Sequence, residues 1–377
     1  MSLKVILTSN MYLPNTGGIE NSLNALAKVG ASKGDEITII TSNIFEGNDN
    51  LPSGLELNNG FKVRRYNTSS SGNKVIRVFQ YIHSAIKTYR DGYKESKDTI
   101  IIARYHWNVI FAFLAGFRDI RYVVPGVVKF QNNKKNRKDI KKFSSIVEHL
   151  IQKLALKISS NIFVFSKSMK NQVTEVCSNI SVQQVSPGVD FSRFEMKPFN
   201  PSQNTVNLLT VSRLVSAKGI NYAIEAMAYL PSHYKLQIVG DGPDDKILKG
   251  LCKKLDLEDR VSFLGKQSKP EELYRSSDVF LLPSIYEPFG QTILEASVSG
   301  LPVVSFDSTI VNTSTRDILG EHGFYANEVS AEVYAKNIQL AYEKHCADES
   351  LAKITREYVI NRYTWENLYS DITEKNE

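Results

Sequence analysis

Two glutamates, Glu287 and Glu295, stand eight positions apart in the segment EPFGQTILEA and are the residues best suited to ligand chemistry. Pro288 and Gly290 oppose regular structure, which predicts that Glu287 lies on a loop. A helix is predicted to begin near Gln291, so Glu295 falls one turn inside it. Backbone N–H groups at a helix N-terminus favour anionic ligands. Two acids beside such a helix end suit a ligand with both hydroxyls and phosphates, as in a nucleotide sugar.

Two cations in the segment SRLVSAKG, Arg213 and Lys218, follow another predicted strand. A diphosphate leaving group gains negative charge as its bond to a sugar breaks, and fixed cations stabilise that charge most in the transition state. The alternative is a pair of surface cations, since the chain has 46 Lys and Arg residues. Their place between a strand and a helix, in the same predicted domain as the acid pair, favours the functional interpretation.

Candidate residues in the first half of the chain are Gly17, Gly18 and His106. The two glycines separate the first predicted strand from the first predicted helix. They would let the backbone approach a phosphate or sugar closely, although a tight strand–helix turn explains them equally well. His106 follows a later strand and would point into a cleft, but a lone histidine is more often structural. The chain has no Asp-x-Asp motif, so no metal is predicted.

The dinucleotide fingerprint G-x-G-x-x-G is absent after the first strand. Its nearest approach, Gly240-Asp241-Gly242-Pro243, is spoiled by Pro243 and Asp245 and is interpreted as a turn. The missing fingerprint counts against an NAD-dependent oxidoreductase, which the predicted sheets would otherwise suit.

The elements that must position these residues alternate between strand and helix, which predicts parallel sheets covered on both faces. The alternation fills residues 1–186, breaks in the proline-containing segment 187–204, and restarts over 205–360. The fold class is therefore predicted to be α/β, with two Rossmann-like doubly wound domains joined by a linker. Such domains would face across a cleft, where this kind of fold binds ligands.

Composition indicates an ordinary globular protein whose positive charge is unevenly placed. The three cysteines, Cys177, Cys252 and Cys346, lack metal-ligand spacing and favour a reducing compartment. The first residues read as a strand and not as a signal peptide, and no apolar run reaches the ~20 residues that span a bilayer. A cytoplasmic location is predicted.

The net charge of +6 is concentrated in residues 129–142, which hold seven basic residues and one acid. Apolar residues then recur at helical spacing over 140–154. A basic loop that leads into an amphipathic helix can lie on an anionic membrane, so 129–158 is a candidate membrane contact. The alternative is a solvated loop followed by a helix docked on the core. Few aromatic residues interleave with the lysines, and no nucleic acid is predicted as a partner.

Together these motifs resemble the retaining, nucleotide-sugar-dependent glycosyltransferases of family 4, which have the GT-B fold. The resemblance covers nearly the whole chain and is most specific in its second half. There the family's motifs occur in order as SPGVDFSRF, SRLVSAKG, VGDGPDD, RVSFLG, ELYRSSDVFLLPS, EPFGQTILEA and SGLPVVSFD. The first half matches mainly through its glycine pair and strand pattern, and would bind the acceptor.

The resemblance implies a separate role for each site residue. Glu287 would hold the transferred sugar and Glu295 the ribose, while Arg213 and Lys218 would bind the diphosphate. Further contacts to the donor are implied for Gly17, Gly18, Phe289, Gly290 and Gln291. The acceptor hydroxyl would attack from the leaving-group face and pass its proton to the departing phosphate oxygen, so no protein base is needed.

Two further features of the chain are judged against the family. Many members carry a histidine after the strand that here reads RYVVPGV, where it contacts the sugar, but this chain has Pro125-Gly126. Either His106 compensates or the sugar is held differently. The resemblance also implies that 361–377 contains a helix, around Tyr363 to Asp371, that crosses back onto the first domain.

The predicted activity is transfer of a hexose or N-acetylhexosamine from a nucleotide sugar, preferably UDP-linked, with no separate cofactor. The acceptor would be a saccharide or lipid-linked saccharide in surface polysaccharide or glycolipid assembly, at the inner face of the cell membrane. A GDP-mannose-dependent mannosyltransferase is the alternative within this class. An oxidoreductase and a non-catalytic sugar-nucleotide-binding protein are the alternatives from other classes.

Overall fold

The computed structural model of the chain describes residues 2–15, 17–45, 50–58, 60–68, 73–95, 97–131, 139–196 and 205–374. The chain divides into two compact units, the first made of Met1–Gly188 with Trp365–Glu377 and the second of Val189–Thr364. The chain enters the second unit within the segment 187–204 that was predicted to be a linker. Residues 197–204 of that segment lie outside the described residues.

The first unit is built on one sheet. Its strands are β1 (Lys4–Thr8), β2 (Glu36–Ser42), β3 (Gly54–Asn58), β4 (Phe61–Tyr66), β5 (Ile100–Ala103), β6 (Ile120–Val123), β7 (Asn161–Val164) and β8 (Gln183–Gln184). They lie in the order β3-β4-β2-β1-β5-β6-β7-β8, parallel throughout except for the antiparallel pair β3 and β4. Its helices are α1 (Gly18–Ser32), α2 (Lys74–Glu95), α3 (His106–Ala115), α4 (Val128–Gln131), α5 (Asp139–Ile158) and α6 (Lys167–Val176).

The second unit repeats this plan with a fully parallel main sheet. Its strands are β9 (Val206–Val211), β10 (Tyr234–Val239), β11 (Val261–Gly265), β12 (Val279–Leu282), β13 (Tyr286–Glu287), β14 (Val303–Phe306), β15 (Asn312–Thr313) and β16 (Phe324–Ala326). The main sheet has the order β11-β10-β9-β12-β14-β16, and β13 pairs separately with β15. Its helices are α7 (Ile220–Ala226), α8 (Asp245–Lys254), α9 (Glu271–Ser276), α10 (Gln291–Val298), α11 (Thr315–Leu319), α12 (Ala331–Ala347) and α13 (Ser350–Ile360).

Alternating side chains explain why each sheet is covered on both faces. In β1, Ile6 packs in one buried cluster while its neighbours Val5 and Leu7 pack in another, as the period of two in a strand requires. The central strands β5 and β12 are buried along their whole length and therefore read as continuous apolar runs. The prediction of an α/β fold with two doubly wound domains is confirmed.

Each sheet has a topological switch point, where consecutive strands stop adding to one side and begin adding to the other. It lies between β1 and β5 in the first unit and between β9 and β12 in the second. Doubly wound sheets bind their ligands at the carboxyl ends of the strands at this point. The loops that follow these four strands are therefore the places to look for a site.

The final helix of the described chain, α14 (Trp365–Thr373), belongs to the first unit. Leu368, Tyr369 and Ile372 are buried in the cluster that also contains residues of α1. The Tyr369 hydroxyl donates to Asp35 Oδ2 at 2.8 Å. A Cβ on Gly30 of α1 would lie 2.7 Å from the Tyr369 hydroxyl, so only glycine lets the two helices approach this closely.

Differences between predicted and observed elements are confined to short or edge elements. The sheets were predicted to be parallel, and the exception is the edge strand β3, which pairs antiparallel with β4. Within the described part of the chain, no helix combines the length and apolar character needed to cross a membrane.

Candidate active site

The segments SRLVSAKG and SIYEPFG occupy the switch point of the second unit. They follow β9 and β12, which are hydrogen-bonded neighbours in the sheet. Parallel strands place their carboxyl ends at the same edge, so two loops far apart in sequence converge there. This convergence brings the predicted cation pair and the predicted sugar-binding acid to one edge of the sheet.

Lys218 and Glu287 form an ion pair at this edge, between Lys218 Nζ and Glu287 Oε2. Their side chains retain only 20% and 11% of their exposure, respectively. Because both side chains are largely shielded from water, the two opposite charges attract each other more strongly than an exposed pair would, and this attraction holds both in place. The predicted diphosphate-binding lysine and the predicted sugar-binding glutamate are thus brought into direct contact.

Gly219 allows the two loops to lie close together. Its backbone lies in the left-handed region at φ 60°, and a Cβ there would stand 2.0 Å from the carbonyl oxygen of Pro283. The Ile285 N–H donates to the Ala217 carbonyl at 3.0 Å and ties the same two loops a second time. Because Lys218 is the residue before Gly219, this close approach sets the distance from Lys218 to Glu287.

Glu287 itself lies on a short strand, so the prediction that it lies on a loop was wrong. β13, which is Tyr286–Glu287, pairs in parallel with β15. The Ser314 N–H donates to the Glu287 carbonyl at 3.2 Å, and the Ser314 hydroxyl donates to the Pro288 carbonyl at 2.9 Å. Each residue of β13 pairs with the residue 26 positions later in the chain, so the local sequence does not reveal the strand. These contacts hold the backbone that carries the carboxylate.

The segment Gly240-Asp241-Gly242 forms a turn that supports the cation loop from the other side. Cβ atoms on Gly240 and Gly242 would lie 1.9 Å and 2.2 Å from the carbonyl oxygens of Ser212 and Leu214. The Leu214 N–H donates to the Asp241 carbonyl at 2.7 Å. These glycines are therefore explained by backbone packing, as expected of a turn and not of a dinucleotide fingerprint.

α10 begins at Gln291, as predicted, and Glu295 lies one turn inside it. Gly290 precedes the helix at φ 93°, where a Cβ would be 2.7 Å from Ile293 Cδ1 and 3.1 Å from Glu287 Cγ. Only glycine fits this position without displacing Glu287. Phe289 is buried, with its ring 6.2 Å from that of Tyr363. The helix N-terminus therefore lies directly beside the Glu287 side chain.

Glu295 has its own polar surroundings, which contain residues not picked out as site residues from the sequence. The Tyr274 hydroxyl donates to Glu295 Oε2 at 2.8 Å. Burial raises the pKa of the Glu295 carboxyl, against the opposing effects of Tyr274 and of Arg193. Arg193 donates to Glu271 Oε2 at 2.9 Å, and this bond raises the pKa of Arg193. Arg193 and Tyr274 stand inside the motifs SPGVDFSRF and ELYRSS, where they could have been noticed.

The raised pKa of Glu295 predicts a stability cost at neutral pH. An acid whose pKa is higher in the folded protein favours folding below its unfolded pKa of about 4.3, and this contribution is lost as pH rises through the folded-state pKa. Glu295→Gln should therefore unfold at higher urea concentration than wild type at pH 7, with the difference shrinking toward pH 4. The same substitution should weaken nucleotide binding, since a ribose diol donates better to a carboxylate than to an amide. If the two proteins differed in stability by the same amount at pH 7 and pH 4, the raised pKa of Glu295 would be contradicted.

Arg213 differs from Lys218 in being exposed. Among the described residues it makes no ion pair, whereas Lys218 is paired with Glu287. The preceding residue, Ser212, has a buried hydroxyl that finds no hydrogen-bond partner in the described part of the chain. Among the described residues, this edge of the sheet thus carries one cation without an ion pair, Arg213, and one hydroxyl without a hydrogen-bond partner, that of Ser212, beside the ion pair.

The predicted residues of the first unit lie around its own switch point. Gly17 precedes α1 and Gly18 begins it, and a Cβ on Gly18 would meet no atom of the described residues within 4 Å. Packing therefore does not require glycine at position 18, and the space beside it is open. His106 begins α3 after β5, but its ring is buried and its Nε2 lies 2.5 Å from Glu148 Oε2.

Glu148 on α5 holds both His106 and its neighbour. The Trp107 indole N–H donates to Glu148 Oε1 at 3.2 Å, and the hydrogen bond from His106 is the main reason that the pKa of Glu148 is lowered. The segment Pro125-Gly126 is likewise tied to α5, where Gln152 Nε2 donates to the Gly126 carbonyl at 2.8 Å. That His106 takes over the sugar contact of the family's histidine stays a prediction. In the structure, the His106 ring is already bonded to Glu148.

Comparison with known proteins identifies what the second unit resembles. Residues 192–358 match the family described as "Glycosyl transferases group 1". Every site residue predicted in the second unit lies inside that segment. The lipopolysaccharide core biosynthesis glycosyltransferase LpsE of Rhizobium meliloti is 33% identical over 159 residues, which cover 42% of this chain and 46% of that protein. The chain spans about half the length of the curated relatives it matches.

Solved structures match over nearly the full chain. Sucrose-phosphate synthase from Thermosynechococcus elongatus has a TM-score of 0.81 at 20% identity, covering 98% of this chain and 97% of that one. Anabaena HepE, solved with UDP and glucose, has a TM-score of 0.75 at 17% identity, covering 98% of both chains. At such identities the likeness establishes the fold, which is the GT-B fold expected from the sequence. The sequence matches support membership of the wider glycosyltransferase superfamily.

Proposed function

We propose that this protein is a retaining glycosyltransferase that takes a hexose or N-acetylhexosamine from a UDP-sugar. The observation that carries the proposal is the contact between Lys218 and Glu287 at the switch point of the second unit. A cation beside a carboxylate matches a donor that presents a diphosphate next to sugar hydroxyls. The family match over 192–358 supports transfer chemistry, and the likeness to HepE, solved with UDP-glucose, supports a UDP-linked donor.

In the proposed reaction, Arg213 and Lys218 contact the diphosphate while Glu287 accepts hydrogen bonds from the sugar. The bond between the anomeric carbon and the phosphate oxygen breaks as the acceptor oxygen bonds to the same face of that carbon. The acceptor proton passes to the departing phosphate oxygen, so the products are the glycoside and UDP. The cations stabilise the charge that grows on the phosphate, which is the largest electrostatic demand of this step.

A thermal-shift panel tests the donor assignment. Wild-type protein is heated with UDP, GDP or ADP, and with UDP-glucose, UDP-N-acetylglucosamine or GDP-mannose. A ligand that binds only the folded state raises the melting temperature. We expect the uridine ligands to raise it and the others to have little effect. A rise with GDP-mannose alone would replace the UDP-linked donor by the mannosyltransferase alternative, and no rise with any nucleotide would contradict the proposal.

The acceptor side of the proposal rests on α5 and on the relatives' names. LpsE is named for lipopolysaccharide core biosynthesis, which supports a saccharide acceptor of a surface polymer or glycolipid. The side chains of Ile146, Leu150 and Leu154 are 52%, 57% and 46% exposed and recur every four residues on α5. Ala155 and Leu156 on the same helix are buried in the core. The helix is thus docked by one face and presents a second, exposed apolar face.

We propose that this exposed face rests on an anionic membrane, where lipid-linked acceptors reside. Lys153 and Lys157 on α5 are exposed and supply positive charge. Lys129 is also exposed but is paired with Glu175. Residues 132–138 of the basic run lie outside the described residues, as do the side chains of 139–144.

Vesicle sedimentation tests the membrane contact. Wild-type protein should sediment with vesicles containing phosphatidylglycerol at low salt, and less so at high salt because screening weakens the attraction. Replacing Ile146, Leu150 and Leu154 together by serine should reduce binding by at least about tenfold, given ~25 cal/mol for each Å² of apolar area that the membrane would have covered. Ile247→Ser removes an apolar residue of the second unit that is even more exposed, at 71%, and this variant should bind vesicles as wild type does. Equal binding by both variants would count against the contact.

A further inference from the structure

Arg104 is a buried arginine at the switch point of the first unit. It follows β5 directly, and its backbone N–H donates to the Thr8 carbonyl at the end of β1 at 2.8 Å. Only 5% of the residue is exposed. In the described part of the chain, neither its Nε nor its Nη1 has a hydrogen-bond partner. A buried guanidinium with unsatisfied N–H groups is costly and calls for an explanation.

The surroundings of Arg104 do not satisfy these groups. The ring of Phe165 lies 4.8 Å from the guanidinium carbon and covers one face of it. Burial lowers the pKa of Arg104 to about 10, while Tyr122 and Glu20 act in the opposite direction. A group with this pKa still carries its charge at neutral pH. Glu20 is close enough to influence that charge but accepts no hydrogen bond from Nε or Nη1.

Other features of the same edge also suit an anion. β1 and β5 are neighbours, so the loop after β1 and Arg104 lie at one end of the sheet. That loop leads into α1, a helix of 15 residues, and a Cβ on its first residue, Gly18, would have no neighbour within 4 Å in the part of the chain that the structure describes. Helix N-termini attract anions, and the planar guanidinium fork matches a carboxylate or phosphate.

We propose that Arg104 is the anion receptor of the first unit and that the acceptor of this enzyme carries a carboxylate or phosphate group. The identification of the anion as part of the acceptor rests on the proposed function. The anion site itself does not, because it follows from a buried guanidinium whose Nε and Nη1 have no hydrogen-bond partner in the described part of the chain. The acceptor class narrows to an acidic or phosphorylated saccharide.

Calorimetric titration with three small probes tests the proposal on UDP-saturated protein at low salt. Glucuronate presents a carboxylate, glucose 6-phosphate presents a phosphate, and glucose presents neither. At least one charged probe should bind to wild type, and glucose should not. Arg104→Gln should lower the affinity for the charged probe by at least about tenfold, which is the usual effect of losing one charge-assisted hydrogen bond. The probe that binds identifies the source of the charge.

Two controls separate a binding role from a structural role. Arg77→Gln removes an exposed arginine of α2 and should leave probe binding unchanged. Arg104→Met should melt no lower than wild type, because it removes a buried charge whose Nε and Nη1 have no hydrogen-bond partner among the described residues. The proposal is overturned if neither charged probe binds, if Arg104→Gln binds them as wild type does, or if Arg104→Met melts several degrees lower. A wild type that ignores UDP but binds the charged probe through Arg104 would contradict only the proposed function.

Discussion

Glu287→Gln and Lys218→Ala should each reduce turnover of the UDP-sugar by at least about 100-fold, the usual effect of removing one preorganised charged or hydrogen-bonding group from a transition state. Glu287→Gln removes the negative charge that accepts the sugar hydroxyls and holds Lys218. Lys218→Ala removes the cation that stabilises the departing diphosphate. Release of UDP in a coupled assay measures both effects.

An exposed ion pair of the same unit provides the matched control. Lys336 pairs with Glu332 on α12 at 2.7 Å, and both side chains are more than half exposed. Glu332→Gln and Lys336→Ala should retain wild-type turnover, since surface pairs contribute about 0–1 kcal/mol and no catalytic charge. All four variants should give the circular dichroism of the wild type. Full turnover by either Glu287→Gln or Lys218→Ala would remove the assignment of the site.

Gly219→Ala should also reduce turnover by about 100-fold, although it removes no charged group. The substitution places a methyl group 2.0 Å from the Pro283 carbonyl oxygen, and the two loops must separate to admit it. That separation moves Lys218 relative to Glu287, and a misplacement of about 1 Å at a reacting centre is enough for a loss of this size. A strained left-handed alanine adds about 1–2 kcal/mol of destabilisation, measurable by urea unfolding.

Gly265→Ala separates the effect of strain from the effect of displacement. Gly265 has φ 64°, close to that of Gly219, but a Cβ there would meet no described residue within 4 Å. Backbone strain should destabilise this variant by a similar amount, but its turnover should match that of wild type. If Gly219→Ala and Gly265→Ala have the same turnover, the contact between Gly219 and Pro283 does not position the site.

The sequence was sufficient where the relevant physics is local. Pro288 and Gly290 predicted where α10 begins, because proline fixes its own φ and glycine readily adopts backbone conformations outside regular structure. Burial on both faces makes β12 a continuous apolar run, so its strand could be recognised without a partner. Two doubly wound domains followed from the repeated alternation of such elements.

Features that depend on distant contacts could not be predicted in this way. The strand that holds Glu287 exists only because β15 returns beside it, and the bond from Glu148 to His106 joins residues 42 positions apart. That Nε and Nη1 of Arg104 lack hydrogen-bond partners among the described residues is visible only once its neighbours from other strands are known. The role of Gly219 depends on a carbonyl in a different loop.

Calorimetric titration of UDP-glucose tests most directly whether the switch point of the second unit is the donor site. Wild-type protein and the Arg213→Ala/Lys218→Ala double variant are titrated under the same conditions. We expect one saturable site in wild type, and affinity weaker by at least about 100-fold in the double variant, since two charge-assisted contacts are lost. Equal affinity in the two proteins would show that the donor binds elsewhere and would contradict the assignment of the site.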